Sequence, residues 1–456
     1  MSTVCIGNAT VVTMDPARPL IPDGVVVVAD GCIRALGPAR LRADHPDVAF
    51  VDAGGGLVMP GLVCAHTHLY SAFARGMSLP GEPARNFVEI LERLWWRLDR
   101  LLTLEDVAAS AEVGLVDAIR HGVTTVVDHH ASPAAVDGSL DVIAAAVEAA
   151  GVRGCLAYEV SERNGPADTR AAVRENERFI QGLRHRAGAG AGRLAGLVGL
   201  HASFTLSPAT LATCVGVGAD LGVGCHVHVA EDLADQEDCR RRQQSRVVPH
   251  LAALGVLGPG SLAAHCVHVD ADEIAALART GAAVAHNPRS NMGNAVGTAP
   301  VPALRQAGVT VGLGSDGVSM DLFEEMRSAQ MQQRLATGDP RAMPPAAVAE
   351  LAFAGGGRIA DTLFRPFAPG LGPLGRLLPG APADLVILDY TAPTPLTAEN
   401  VAAHLVGGTG GAQVRDTMVA GSWLMRAGQV LSLDAERIAA RSREQAAALW
   451  ARVGPA

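Results

Sequence analysis

The sequence contains no lysine, so all 37 of its basic residues are arginine. That absence excludes Schiff-base chemistry on lysine, a phosphate-cradling P-loop lysine and a carboxylated lysine bridging two metal ions. Positive charge is also in deficit. The formal net charge is -9, which argues against a nucleic-acid or anionic-membrane partner. CxxC pairs are missing: Cys5, Cys32, Cys64, Cys155, Cys214, Cys225, Cys239 and Cys266 stand singly. A chain of 456 residues needs no disulfide staples, and a reduced, cytoplasmic protein is the expectation. The N-terminus lacks the basic-then-apolar pattern of a signal peptide, and no uncharged apolar run is long enough to span a bilayer.

Hydrophobic residues make up 49% of the chain, enough for a large core. Residues 1–56 read as short β segments split by Asp-Pro, Pro-Asp-Gly and Asp-Gly turns. From residue 57 the rhythm changes. Strand-like runs at 57–66, 123–129, 153–160, 196–203, 223–229, 261–266, 282–286 and 310–315 alternate with helical patterns. Thr103 reads as the N-cap of a helix that stops at Gly122, Ser207-Pro208 opens another, and Asp270 with Glu273 forms a capping box. Eight strand-then-helix units predict a parallel (β/α)8 barrel over 57–370; an open doubly wound sheet is the rival. After about 370 the pattern returns to β. Segments in 371–430 are expected to join residues 1–56 in a small, discontinuous β-sandwich domain, followed by a C-terminal helical segment, 431–456.

In such a barrel the carboxyl ends of the strands share one face, and active sites are built there. His66 and His68 share one side of the first strand. His201 ends the fourth; His226 and His228 end the fifth, with Glu231 following. His265 ends the sixth with His268 just beyond, His286 ends the seventh, and Asp316 ends the eighth. Any one of these alone is an ordinary half-buried side chain. Three histidines and an aspartate together make a site for Zn²⁺, with Fe²⁺ as the alternative and one ion per subunit. Spacing alone does not separate His226 from His228. His228 is preferred as the ligand because Glu231 lies three residues on, where a glutamate beside an apolar wall can be held protonated and donate to a ring nitrogen.

The ordered set Met59-Pro60-Gly61-Leu62, His66-Thr67-His68, Arg75-Gly76, Gly122-Val123-Thr124-Thr125, His228-Val229-Ala230-Glu231, Ala264-His265-Cys266-Val267-His268, His286-Asn287-Pro288-Arg289-Ser290-Asn291 and Gly314-Ser315-Asp316-Gly317 resembles the amidohydrolase superfamily. The resemblance is to the branch with cytosine deaminase, guanine deaminase and chlorotriazine hydrolase. Asn86 to Arg100, Asp128-His129-His130-Ala131-Ser132-Pro133 and His228 to Asp232 are similar to the SsnA-type aminohydrolases.

By motif, the resemblance implies His66, His68, His228 and Asp316 as metal ligands. It implies Glu231 as proton shuttle, His265 as the group orienting the attacking water, and Asp316 as a partner in proton transfer. His201 matches a substrate-contacting position. His130, Arg75 and Trp96 are further substrate-binding candidates, each against a plain packing or ion-pairing alternative. The implied activity is deamination of a purine, a pterin or a similar small heterocycle by metal-activated water, with release of ammonia. Hydrolytic dehalogenation and opening of a cyclic amide or amidine would use the same site. A non-catalytic metal-binding scaffold and an iron oxygenase are the rivals from other classes. Resemblance also implies a homodimer.

Overall fold

The structure is a computed structural model, and it describes residues 3–79, 81–185, 192–317 and 319–453. Two sheets of parallel strands carry the middle of the chain. One runs Leu62–Thr67, Val123–His130, Arg153–Tyr158, Leu194–Gly196; the other runs Val198–Ala202, Cys225–Val229, Leu262–His265, Ala283–His286, Val311–Leu313. The sheets meet at two seams. Thr67 bridges Asp316, and Val160 bridges Leu200, both in parallel sense. Backbone hydrogen bonds stitch the same seams, from Ser315 N to His66 O (2.9 Å) and from His201 N to Val160 O (2.9 Å). Leu194–Gly196 and Val198–Ala202 are therefore one barrel strand kinked at Leu197, and the eight expected strands form one ring.

Local chemistry explains the element boundaries. Thr103 caps helix Leu104–Arg120 in a reciprocal capping box with Asp106. Asp270 does the same with Glu273 for Ala271–Thr280. Ser207 accepts from Thr210 N at the head of Pro208–Leu221. Inward-facing Val63, Ala65, Val127, Cys155, Leu262 and Ala285 pack in one apolar cluster with Ile359 and Phe364 from helix Gly356–Phe364. That cluster fills the amino-terminal end of the barrel and leaves the carboxyl end for the site.

The apolar run expected as one strand over 57–66 is divided between two sheets. Leu57–Pro60 pairs antiparallel with Leu385–Leu388 and parallel with the first strand, Val4–Val12. Leu62–Thr67 begins the barrel. Gly61 is the hinge: its N–H donates to Asp384 O while Leu62 N donates to Gly122 O. A Cβ at Gly61 would stand 2.2 Å from Thr124 Cγ2, so no other residue fits there without displacement. The outer sheet has nine strands drawn from both chain ends. Its arms bury a shared core in which Ile6, Val26 and Ile33 meet Leu385, Ile387 and Met418.

The C-terminal helix Ala435–Val453 lies along Leu104–Arg120, with ion pairs from Arg441 to Glu112 and Arg452 to Asp106. Trp450 Nε1 donates to Phe73 O (2.8 Å), which anchors that helix to the turn following His68. Among the described residues no helix is long and apolar enough to cross a membrane.

One buried ion pair joins barrel to outer sheet. Arg153 donates to both Asp384 oxygens (2.6 and 3.0 Å), and Ala420 N adds a third hydrogen bond to Asp384 (2.7 Å). Removing one partner strands the other charge in the interior. Asp384→Ala is expected to cost about 3–5 kcal/mol, read as a lower denaturant midpoint; an unchanged midpoint would contradict this role.

Candidate active site

The ends of the barrel strands carry a crowd of imidazoles around one carboxylate. Asp316 Oδ1 lies 3.1 Å from His66 Nε2 and 3.1 Å from His68 Nε2. His228 Nε2 lies 3.3 Å from His68 Nε2. Four donors around a tetrahedral ion with bonds near 2.0–2.1 Å stand about 3.3 Å apart, so these separations match such a shell. Tautomers agree as well. His68 Nδ1 donates to His129 O (2.5 Å) and His228 Nδ1 donates to His201 O (2.8 Å), so each ring turns its Nε2 toward the centre. His66 Nδ1 is engaged by His226 Nε2 at 2.9 Å, so His226 stands behind the ligand shell and His228 within it.

His66, His228, His265 and Asp316 also offer donor atoms within 4.8 Å of one another. His265 stands at the edge of the shell. Its Nδ1 is taken by Asn291 Oδ1 (2.8 Å), and its Nε2 faces Glu231 Oε2 at 3.5 Å. This donor set is one for a divalent metal ion.

Backbone strain aims these groups. Ala230, His265, Cys266 and Asp316 all have positive φ, between 46° and 71°. Non-glycine residues take that conformation at a cost and cluster at functional sites. Here it turns the chain at the strand ends, so that Glu231, His265 and Asp316 face inward. Asp128 accepts from Leu69 N (2.7 Å) and fixes the turn after His68.

The electrostatics divide the two carboxyls. Burial raises Glu231 well above the ordinary glutamate value, and Asp316 nearby adds to this. Burial also opposes ionisation of Asp316, but hydrogen bonds from His66 and His68 outweigh it and hold that carboxyl well below its usual range. Burial disfavours the charged form of His68, yet the Asp316 carboxylate prevails and lifts it to about 9 in the metal-free protein.

A cavity opens over these groups. His201, Trp95 and Trp96 line it. Trp95 ends, and Trp96 follows, a helical turn widened to i→i+5 hydrogen bonding at Leu91–Trp95, a distortion common at functional sites. His130 and Arg75 are not brought to this cavity. Neighbours on a strand face opposite ways: His129 turns inward, whereas His130 Nε2 pairs with Ser132 Oγ (2.8 Å) and its ring packs against Tyr70 and Tyr158. The Arg75 side chain is 64% exposed and reaches Asp117 at 3.9 Å. His268 is structural, paired through Nε2 with Val296 O (2.7 Å). His286 is fully buried.

Several site residues were not singled out from the sequence. Ser290 donates to Asp316 Oδ2, and Asn294 donates to Glu231 Oε1 (3.4 Å). Asn291 also holds the His265 ring. Glu159 and Asp99 line the cavity. Asp99 is an ordinary acidic letter in the chain, and Glu159 falls at the end of the run expected as a strand over 153–160 with no motif to mark it.

Residues 57–424 match the amidohydrolase family. The chain belongs to that family. This amidohydrolase is 36% identical over 451 residues to a 5-methylthioadenosine/S-adenosylhomocysteine deaminase of Nitratidesulfovibrio vulgaris, covering 97% of this chain and 96% of the relative. It is 34% identical to a 5'-deoxyadenosine deaminase of Methanosarcina mazei, covering 99% and 100%. In fold it is similar to a zinc-bound adenosine deaminase from Xanthomonas campestris, with a TM-score of 0.84, 23% identity and 98% of each chain covered. A zinc-bound atrazine chlorohydrolase from Arthrobacter aurescens follows at 0.80, 23% identity and coverage of 97% and 100%. The amidohydrolase is a hydrolase acting on C–N bonds, and hydrolytic deamination of an N-heterocycle fits both its relatives and its site.

Two outcomes follow for the metal shell. Asp316→Ala and His228→Ala are each expected to lose bound metal after dialysis, as counted by plasma mass spectrometry, with the fold kept by circular dichroism; full retention by either would remove that residue from the shell. The ion must also displace the proton that Asp316 holds on His68. The folded-state value of His68 is raised, so the proton is present below about 9 and leaves as pH rises through it. Metal uptake at pH 7.5 should therefore release about one proton, measurable with an indicator dye; release of none would contradict the pairing.

Proposed function

We propose that this amidohydrolase is a zinc-dependent deaminase of an amino-substituted heterocycle of the purine or pterin kind. His66, His68, His228 and Asp316 would hold the ion; zinc is favoured by three imidazoles and one carboxylate at tetrahedral spacing. When bound, such an ion lowers the pKa of water and makes hydroxide available near neutral pH.

The observation that carries the reading is the opposed state of two carboxyls on one cavity. Glu231 is held protonated and Asp316 ionised, and pairs of groups pushed apart in this way mark an acid and a base. Glu231 delivers a proton to the ring nitrogen beside the reacting carbon. Asn294 at 3.4 Å positions that carboxyl. His265 Nε2, with its ring fixed by Asn291, faces the same point and holds the attacking water and then the new oxygen. Asp316 takes up the water proton, and Glu231 relays it to the departing ammonia. Trp95 and Trp96 wall the cavity and exclude bulk water. The relatives support the substrate type, since both are named for deamination of adenosine derivatives.

The reading includes a cytoplasmic location, supported by eight unpaired cysteines, a homodimer, and no nucleic-acid partner at a net charge of -9. The zinc-loaded protein is to be assayed on amino- and chloro-substituted heterocycles for ammonia and for halide. Ammonia release is expected; halide alone would overturn the deaminase reading. Glu231→Gln should keep its metal and lose about 10²–10⁴-fold in kcat. An undiminished kcat would remove Glu231 as the proton carrier.

A further inference from the structure

Glu159 follows barrel strand Arg153–Tyr158 and is 6% exposed, and the mechanism above does not use it. A buried carboxylate is costly unless it is paired. The Arg163 guanidinium stands on the same side of the strand end and carries a permanent positive charge that offsets this cost. Yet its closest contacts are long: His129 Nδ1 stands at 3.4 Å and Arg163 at 3.8 Å, beyond the 2.7–3.2 Å of a good hydrogen bond. Arg163 is itself committed elsewhere. It bonds both oxygens of Asp99 and stacks on the Trp96 ring, 5.3 Å from its centroid. His129 Nε2 is committed to His226 O at 3.2 Å. The Glu159 oxygens therefore keep acceptor capacity while lining the cavity.

A second acceptor lies beside them. The Thr205 hydroxyl donates to Ala202 O (3.2 Å), so its oxygen accepts from His201 Nδ1 (2.7 Å). That tautomer leaves His201 Nε2 as a lone pair. Glu159, His201 and His228 offer ligand atoms within 4.8 Å of one another. A hydrogen bond accepted by Glu159, about 2.8 Å long, thus comes from atoms next to the reacting carbon and not from a substituent at the far rim. This edge of the cavity is made of acceptors, so it suits a ring that presents a donor.

We propose that Glu159 is the specificity-determining residue of this amidohydrolase, its carboxylate accepting from a ring N–H that flanks the reacting carbon. The substrate class is then a ring whose amino-bearing carbon lies between a bare nitrogen, protonated by Glu231, and an N–H, held by Glu159. The 2-amino-4-oxopyrimidine ring of guanine or pterin has that arrangement. Adenosine has a carbon in the second position, and 2-aminopurine has a bare nitrogen there. The inference rests on the deaminase reading for turnover, but its binding part stands by itself.

The test compares the zinc-loaded protein with Glu159→Gln and Glu159→Asp, using guanine, pterin, 2-aminopurine and adenosine. Ammonia release and equilibrium binding are measured on the same preparations, with metal content and thermal midpoint as checks of folding. Glu159→Gln is expected to weaken binding and raise KM for guanine and pterin about 10- to 100-fold, with 2-aminopurine and adenosine unchanged or improved. Glu159→Asp keeps the charge and should recover part of the loss. Equal weakening of all four ligands, or of none, overturns the inference, as does wild-type preference for adenosine over guanine and pterin in both binding and turnover. Selective binding of guanine and pterin without ammonia release supports the role of Glu159 and overturns the deaminase reading instead.

Discussion

Everything at the carboxyl end of this barrel depends on where the Asp316 carboxylate is held. One of its oxygens meets the first two imidazoles at 3.1 Å each, while Ser290 engages the other. The same residue closes the barrel, since the bridge from Thr67 to Asp316 joins the last strand to the first. The cluster of imidazoles around Asp316 and the barrel seam are thus one structural device. Its left-handed backbone, φ 53°, is the local strain that turns the carboxylate inward.

Around that centre the protein arranges charges that would repel or be expelled from an ordinary core. Buried imidazoles are fixed by carbonyls behind them, which sets each tautomer before any ion arrives. Preorganisation of this kind moves the cost of orientation from the reaction to folding. The apolar plug around Ile359 and Phe364 and the outer sheet joined through Arg153–Asp384 supply the rigidity that such a site requires.

Much of the fold was legible because hydrophobic period and punctuation agree along the chain. Capping signals at Thr103, Ser207 and Asp270 mark real helix starts. The run at 57–66 misleads because two strands of different sheets follow one another with only Gly61 between them, and apolar letters do not show a change of partner. The converging histidines were legible from their places at strand ends. His130 was not, because an adjacent pair at a strand end gives no sign of which member faces inward. Arg75 sits beside the His-x-His strand in sequence, but its side chain ends in solvent. Ser290 and Asn294 were missed because hydrogen-bonding residues that act through tertiary contact leave no spacing signal, and Glu159 because its place at the end of the 153–160 run is not marked by any motif.

The central claim is that side chains as far apart as His66 and Asp316 converge on a single ion. X-ray absorption at the metal edge, on protein whose metal content per chain has been counted, tests it most directly. The account expects one ion per chain, nitrogen and oxygen ligands near 2.0–2.1 Å, and the scattering signature of about three imidazoles. Sulfur ligation near 2.3 Å, two metals at short separation, or a shell without imidazole would contradict it.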